Sequence, residues 1–155
     1  MGTQQILLIV LSVIIVGAAI AVGIQMFNAQ AYSANKSAIA ADAQSFASQI
    51  VQYFKTPTSQ GGAGGTVTAG MQSDIGGFIG WGAANTSNDS GKYVIAAVAD
   101  GATTVTIYGL GNEVKGENRP AVRTKVTLSS GEIEAKVIDT NKTTATGLAD
   151  SDFDD

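Results

Sequence analysis

The chain contains no cysteine and no histidine. Disulfides, thiol nucleophiles, Cys/His zinc sites, haem held by His or Cys, and every Ser-His-Asp or Cys-His relay are therefore excluded. Charge is scarce as well. Asp, Glu, Lys and Arg make up 14% of the residues, against about 25% in an average soluble domain. The formal net charge is -4, so nucleic-acid binding through bulk charge is not expected. Aromatic residues are only 6%, too few to make a conductive path of rings an attractive reading. No phosphate loop, dinucleotide fingerprint or nucleophile elbow occurs. Neither an enzyme nor a cofactor is expected.

What is present is unevenly distributed. The 155 residues allow one ordinary domain plus an appendage. Ile6 to Phe27 is a run of 22 residues without charge, in which Ser12 and Gln25 are the only polar side chains. As a helix it spans roughly 33 Å, about the thickness of a bilayer's hydrocarbon layer. A signal-peptide core is shorter and follows basic residues. Here the first charged side chain is Lys36. An ordinary membrane anchor carries Lys or Arg on its cytoplasmic flank. The expectation is that a basic leader has been removed, with cleavage before Met1 preferred over cleavage after Gly2.

Between Gln25 and Phe54 there is neither proline nor glycine. Tyr32, Ile39, Phe46 and Tyr53 recur every seven residues, with Ala43 and Ile50 between them. This is a narrow apolar stripe at helical period, read as core packing. Lys36, Asp42, Ser48 and Gln52 are assigned to the opposite, solvated side. Lys55-Thr56-Pro57 ends the helix. The prediction is one helix over about residues 2–55, apolar all round in 1–27 and amphipathic in 28–56. Gly17 and Gly23 each cost about 1 kcal/mol of helix propensity against Ala. They allow close helix packing or local unwinding.

Residues 57–91 read as a Gly-rich loop region. Trp81 within it is expected to close the edge of a small core. From Lys92 the apolar period changes to two. Strands are predicted at 92–99, 103–109, 121–128 and 132–139, with turns at Asp100-Gly101 and Ser129-Ser130-Gly131. The fold class is α+β: a four-stranded antiparallel sheet packed on the C-terminal half of the helix, followed by an acidic tail over 140–155. Val105, Ile107, Val122, Val126, Leu128, Ile133 and Val137 supply the face toward the helix. Arg123, Lys125, Glu132 and Glu134 are read as a solvated face with cross-strand charge pairs. The alternating carboxylates Asp150, Asp152 and Asp154 resemble the start of a calcium loop, but the central Gly and later Glu are missing. A disordered tail, or one docked on a neighbour's basic residues, is the preferred reading. Asn35, Asn85, Asn88 and Asn141 head Asn-X-Ser/Thr triplets and are candidate glycosylation sites.

A charge-free apolar N-terminus, one long helix, a Gly-rich joint and a small antiparallel sheet together resemble a type IV pilin. The resemblance is strongest over residues 1–57. GTQQILLIVLSVIIVGAAIAVGIQMF is similar to the N-terminal segments of a bacterial pilin-like group with Gln-Gln before the apolar run. The resemblance implies a structural subunit of an extracellular filament, with sheet domains exposed for adhesion or surface contact. Its partners would be copies of itself in a helical homopolymer, a prepilin peptidase and an inner-membrane assembly machine. It would sit in the cytoplasmic membrane before assembly and on the cell surface after. The assembly residues implied are Met1, Gln4, Gln5, Ile6, Leu7, Leu8, Ile9, Leu11, Ile14, Ile15, Val16, Gly17, Gly23 and Phe27. Gln5 stands where the familiar family pattern has Glu, so subunit registration would rest on amide hydrogen bonds and packing. The apolar segment has no proline, where many bacterial pilins have one. Archaeal pilins also lack the Glu, and that origin stays open. The competing readings are a pseudopilin or minor pilin of a secretion system, and a singly anchored membrane protein whose sheet binds a ligand.

Overall fold

The computed structural model describes residues 2–154. Helix α1 runs unbroken over Gly2–Lys55, 54 residues, or roughly 80 Å. A 3-10 turn at Thr58–Gln60 follows, then a short helix α2 at Gln72–Phe78. Five strands complete the head: β1 Asn85–Ser87, β2 Gly91–Ile95, β3 Thr104–Gly111, β4 Arg119–Thr127 and β5 Glu132–Thr140. They form one antiparallel sheet in sequential order. The predicted α+β architecture, a long helix packed on an antiparallel sheet, is thus the one observed.

The sheet has five strands where four were expected. The extra strand, β1, lies inside the predicted loop region. Asn-Thr-Ser carries no apolar alternation, and its extended form comes from pairing Asn85, Thr86 and Ser87 with Val94, Tyr93 and Lys92. Helix α2 was also missed, because QSDIGGF contains two poor helix formers. It forms because Ile75 and Gly76 are buried. A Cβ on Gly76 would collide with the backbone carbonyl of Ala83, so glycine is what lets the chain fold back beside α2. Strand β2 ends at Ile95 and not at Ala99. Beyond it the Val98 N–H turns to Gln72 Oε1 at 3.1 Å, and the Val98 carbonyl accepts from Gly70 N–H at 3.0 Å. The chain leaves the sheet to hold α2.

The predicted stripe is the packing face, with a correction in its phase. Tyr32, Asn35, Ile39, Ala43, Ala47, Ile50 and Tyr53 are buried, in steps of three and four as a straight helix requires. Phe46 is half-buried on the flank. Its ring meets Trp81 edge-on at 4.9 Å and Tyr93 at 5.1 Å. Ile39 and Ala43 pack with Tyr93 and Val122. Ala47, Ile50 and Tyr53 join Val105, Ile107, Val126 and Leu128 in the main core. Ile133 and Val137, on the edge strand, are only partly buried.

Lys36 and Asp42 do not lie on a solvated back face. They flank the stripe and grip the sheet. Lys36 Nζ donates to Asp139 at 2.9 Å. Asp42 accepts from the Tyr93 hydroxyl at 2.8 Å and from Asn88 Nδ2 at 2.9 Å. Ser48 and Gln52 are exposed as expected.

Ile50 is fully buried in the largest cluster. Ile50→Ala removes three carbons from a site enclosed by helix, loop and sheet, and is expected to cost about 2–5 kcal/mol. Thermal unfolding of the full chain in detergent micelles, followed by near-ultraviolet circular dichroism, measures it.

Candidate functional site: the bare half of the helix

Every described residue from Gly2 to Gln30 is exposed. The large apolar side chains from Ile6 to Phe27 are each 51–71% exposed. These values reflect shielding by the helix's own neighbours alone, because none of these residues belongs to a core cluster. Gln4, Gln5, Ile6, Leu7, Leu8, Ile9, Leu11, Ile14, Ile15, Val16 and Phe27 all lie on this bare segment. Met1 lies outside the described residues. Ser12 satisfies its hydroxyl within the helix, donating to the Ile9 carbonyl at 2.8 Å. Gly17 and Gly23 keep regular helical form and do not unwind. Nothing lies within 4 Å of a Cβ built on either, so both leave room for another backbone to approach.

Such a surface is costly to leave in water. Contiguous exposed apolar patches of soluble monomers rarely exceed a few hundred Å². By length and composition this helix can cross a membrane, and its backbone polar groups are paired internally along the whole span, as lipid demands.

Among the described residues, no group of three or more carboxylates could hold a metal ion. The calcium reading of the tail fails on geometry. Asp150 and Asp154 turn toward Arg123, at 3.5 and 3.2 Å. Asp150 also reaches Lys125 at 3.3 Å, and Asp152 lies 3.7 Å from Lys142. Asp152 further accepts from the Ala149 N–H at 2.8 Å. The carboxylates face cations of their own chain.

This also corrects the expectation of a disordered or neighbour-docked tail. Phe153 is 1% exposed. It stacks on Tyr108 at 6.0 Å, and the Arg123 guanidinium lies 5.3 Å from its ring centre. Lys136 donates to the Phe153 carbonyl. The tail therefore covers Arg123, while Lys125 stays partly exposed opposite Glu134 and both Glu132 and Glu134 are exposed, as expected. Register places Arg123 directly opposite Lys136, a repulsive like-charge pair that the tail's oxygens relieve.

The four triplets differ in access. Asn35 is buried, donates to the Ser90 carbonyl at 2.6 Å and accepts from the Glu113 N–H at 3.3 Å. A glycan on Asn35 would displace both contacts, which argues against modification of the folded head there. Asn85, Asn88 and Asn141 are exposed. Asn88, however, is tied to Asp42 and accepts from the Ser90 and Gly91 N–H groups at 2.9 Å.

Tyrosines and aspartates tie the head's layers together. Tyr32 donates to Asp139 at 2.9 Å, and Tyr108 to Asp150 at 2.9 Å. Burial, then the neighbouring carboxylate, pushes each of these hydroxyls up to about 12. Asp139 is lowered: the Lys36 hydrogen bond is the largest cause, burial opposes it, and the Tyr32 hydrogen bond with the Lys36 and Lys115 charges restores the balance downward. For Asp150, burial raises the value, but Tyr108, Lys125 and Arg123 together outweigh it and the result is lowered.

Comparisons with protein-family models, curated proteins and solved structures found no match for this chain.

The shifts fix the pH response of the head. Lowered carboxylates stabilise the fold above their unfolded value, near 3.8 for Asp139 and Asp150, and that contribution is lost as pH falls through the folded values. Raised tyrosines act at the other end. Their contribution is complete below the ordinary value of 10.0 and is lost as pH rises toward about 12. Melting temperature in micelles is expected to be flat between about pH 5 and 9 and to fall on both sides. Asp139→Asn should shrink the acid-side fall; an unchanged profile would remove the Lys36–Asp139–Tyr32 contact from the account.

Proposed function

We propose that this chain is a structural subunit of an extracellular type IV pilus-like filament, assembled through its apolar N-terminal helix. One observation carries the reading. A 54-residue helix has one half clamped to a compact head and the other half apolar on every side and bare. A membrane can cover the bare half in a precursor, and a bundle of identical helices can cover it in a filament. Lipid and a helix bundle are similar solvents for such a surface, so transfer between them is close to neutral in free energy. The head-to-tail contact is heterologous and generates an open helical polymer. The heads then face outward for adhesion or surface contact. Maturation by a prepilin peptidase and extraction by an inner-membrane machine belong to the same proposal. Gln5 would register each new subunit by offering its amide oxygen to a neighbour's terminal ammonium.

The spanning capacity of the helix also supports a second reading, a singly anchored membrane protein. Electron microscopy of material sheared from cells, with mass spectrometry of its subunit, separates the two. Long thin filaments of this chain are expected; dispersed particles confined to the membrane fraction would favour the anchor or a pseudopilin.

Val16→Arg places a charge at the middle of the bare segment. It costs about 2.5–3.5 kcal/mol for insertion at a helix centre and more in a dry bundle. Filaments are expected to vanish while some protein remains in the membrane, read by immunoblot of both fractions. Gln5→Ala keeps the helix and removes one amide. Filament yield should drop several-fold by quantitative shearing, and wild-type yield would assign registration to another group.

A further inference from the structure

A groove of about 510 Å³ lies at the β1 edge of the sheet, where it meets the tail. That volume is within the range of small-ligand sites. Asn85, Thr86 and Ser87 of β1 line one side, and Thr144 and Thr146 line another. Trp81 contributes partly exposed aromatic surface, Tyr93 backs the wall while itself only 1% exposed, and Lys92 brings the one formal charge of the lining. The lining holds no carboxylate. We propose that this groove is a saccharide-binding site.

The chemistry of the lining points to that class. Hydroxyl and amide side chains both donate and accept, and so does every hydroxyl of a sugar. An indole offers a flat apolar surface to the C–H face of a pyranose, and aromatic rings with a polar edge serve where a ligand is half apolar. The position of Trp81 is fixed in advance. Gly80 and Gly82 on either side have φ of 86° and 74°, a turn that other residues rarely adopt. The Trp81 N–H is held by the Gly76 carbonyl at 2.8 Å, and Phe46 braces the ring edge-on. Its indole Nε1–H is sealed from solvent and has no acceptor among the described residues, so the ring meets the groove through its partly exposed carbon surface and not through that donor. A peptide strand fits less well. β1 is three residues long, too short an edge for the run of main-chain bonds that strand addition needs. The site is independent of how the bare helix is covered, so it stands or falls apart from the filament reading.

Trp81 is the one tryptophan in the chain, and its emission reports the groove directly. The test titrates the full chain in detergent micelles with chitotriose, maltotriose and trigalacturonate. A saturable change in Trp81 emission with at least one of them is expected, together with amide NMR shifts confined to residues 81–94 and 144–146. Ser87→Arg fills the groove from an exposed strand position without touching the core, and should weaken binding at least ten-fold with unchanged circular dichroism. If trigalacturonate is the ligand, Lys92→Met should remove its advantage over the neutral sugars. No response to any of the three at millimolar concentration, or shifts that map elsewhere, would overturn the proposal. So would binding that survives Ser87→Arg.

Discussion

Ala43 and Ala47 lie at the middle of the contact between helix and sheet, both fully buried. Their small side chains let the strands approach the helix closely, and the larger side chains above and below fill what remains. Ile39 packs toward one end, where Tyr32 is buried and bound to Asp139, and Ile50 and Tyr53 pack toward the other. Everything else in the head is arranged around that contact. The sheet is narrow, and without the helix its inner face would be open to water. The helix in turn has only half of its length covered, so the head anchors one end of a rod whose other end must find its own cover.

Charge is used sparingly, and where it is paired it fastens one layer of the head to another. Lys36 and Asp42 sit on the two flanks of the packing stripe and hold opposite parts of the sheet. The tail brings three aspartates to Arg123, Lys125 and Lys142. Most of these pairs are partly exposed, and each taken alone contributes at most about 1 kcal/mol. Burial of Phe153 between Tyr108 and Arg123 supplies the apolar contact that those charges orient. The result is a sheet whose Arg123 is covered by the tail, with Glu132 and Glu134 left exposed at the β5 edge.

Much of this was legible in the residues, for physical reasons that differ by element. The long helix was evident because no charge precedes Lys36, no proline precedes Pro57, and an apolar stripe at helical period runs on from Tyr32 to Tyr53. Strands β2 to β5 were evident because their apolar residues alternate. Strand β1 was not, since Asn-Thr-Ser pairs through its backbone and carries no pattern. The tail's docking was hidden for another reason. Alternating Asp residues look solvated until the sheet's register sets Arg123 opposite Lys136, a long-range fact that no local window contains. Asn35 looked like a surface acceptor because a triplet says nothing about burial. The groove beside Trp81 depends on β1 and the tail meeting, so neither part announced it.

The absence of any break in α1 has a mechanical consequence. A helix turns about 100° per residue, and α1 is continuous from the bare segment into the clamped one. The azimuth of the head about the rod is therefore fixed by the azimuth of the bare half. Any neighbour that grips the apolar half also aims the head, and one residue more or fewer between them would swing it by about 100°. The rod is a phase-keeper: the direction in which the head faces, relative to its own apolar half, is set by the number of residues between Phe27 and Tyr32.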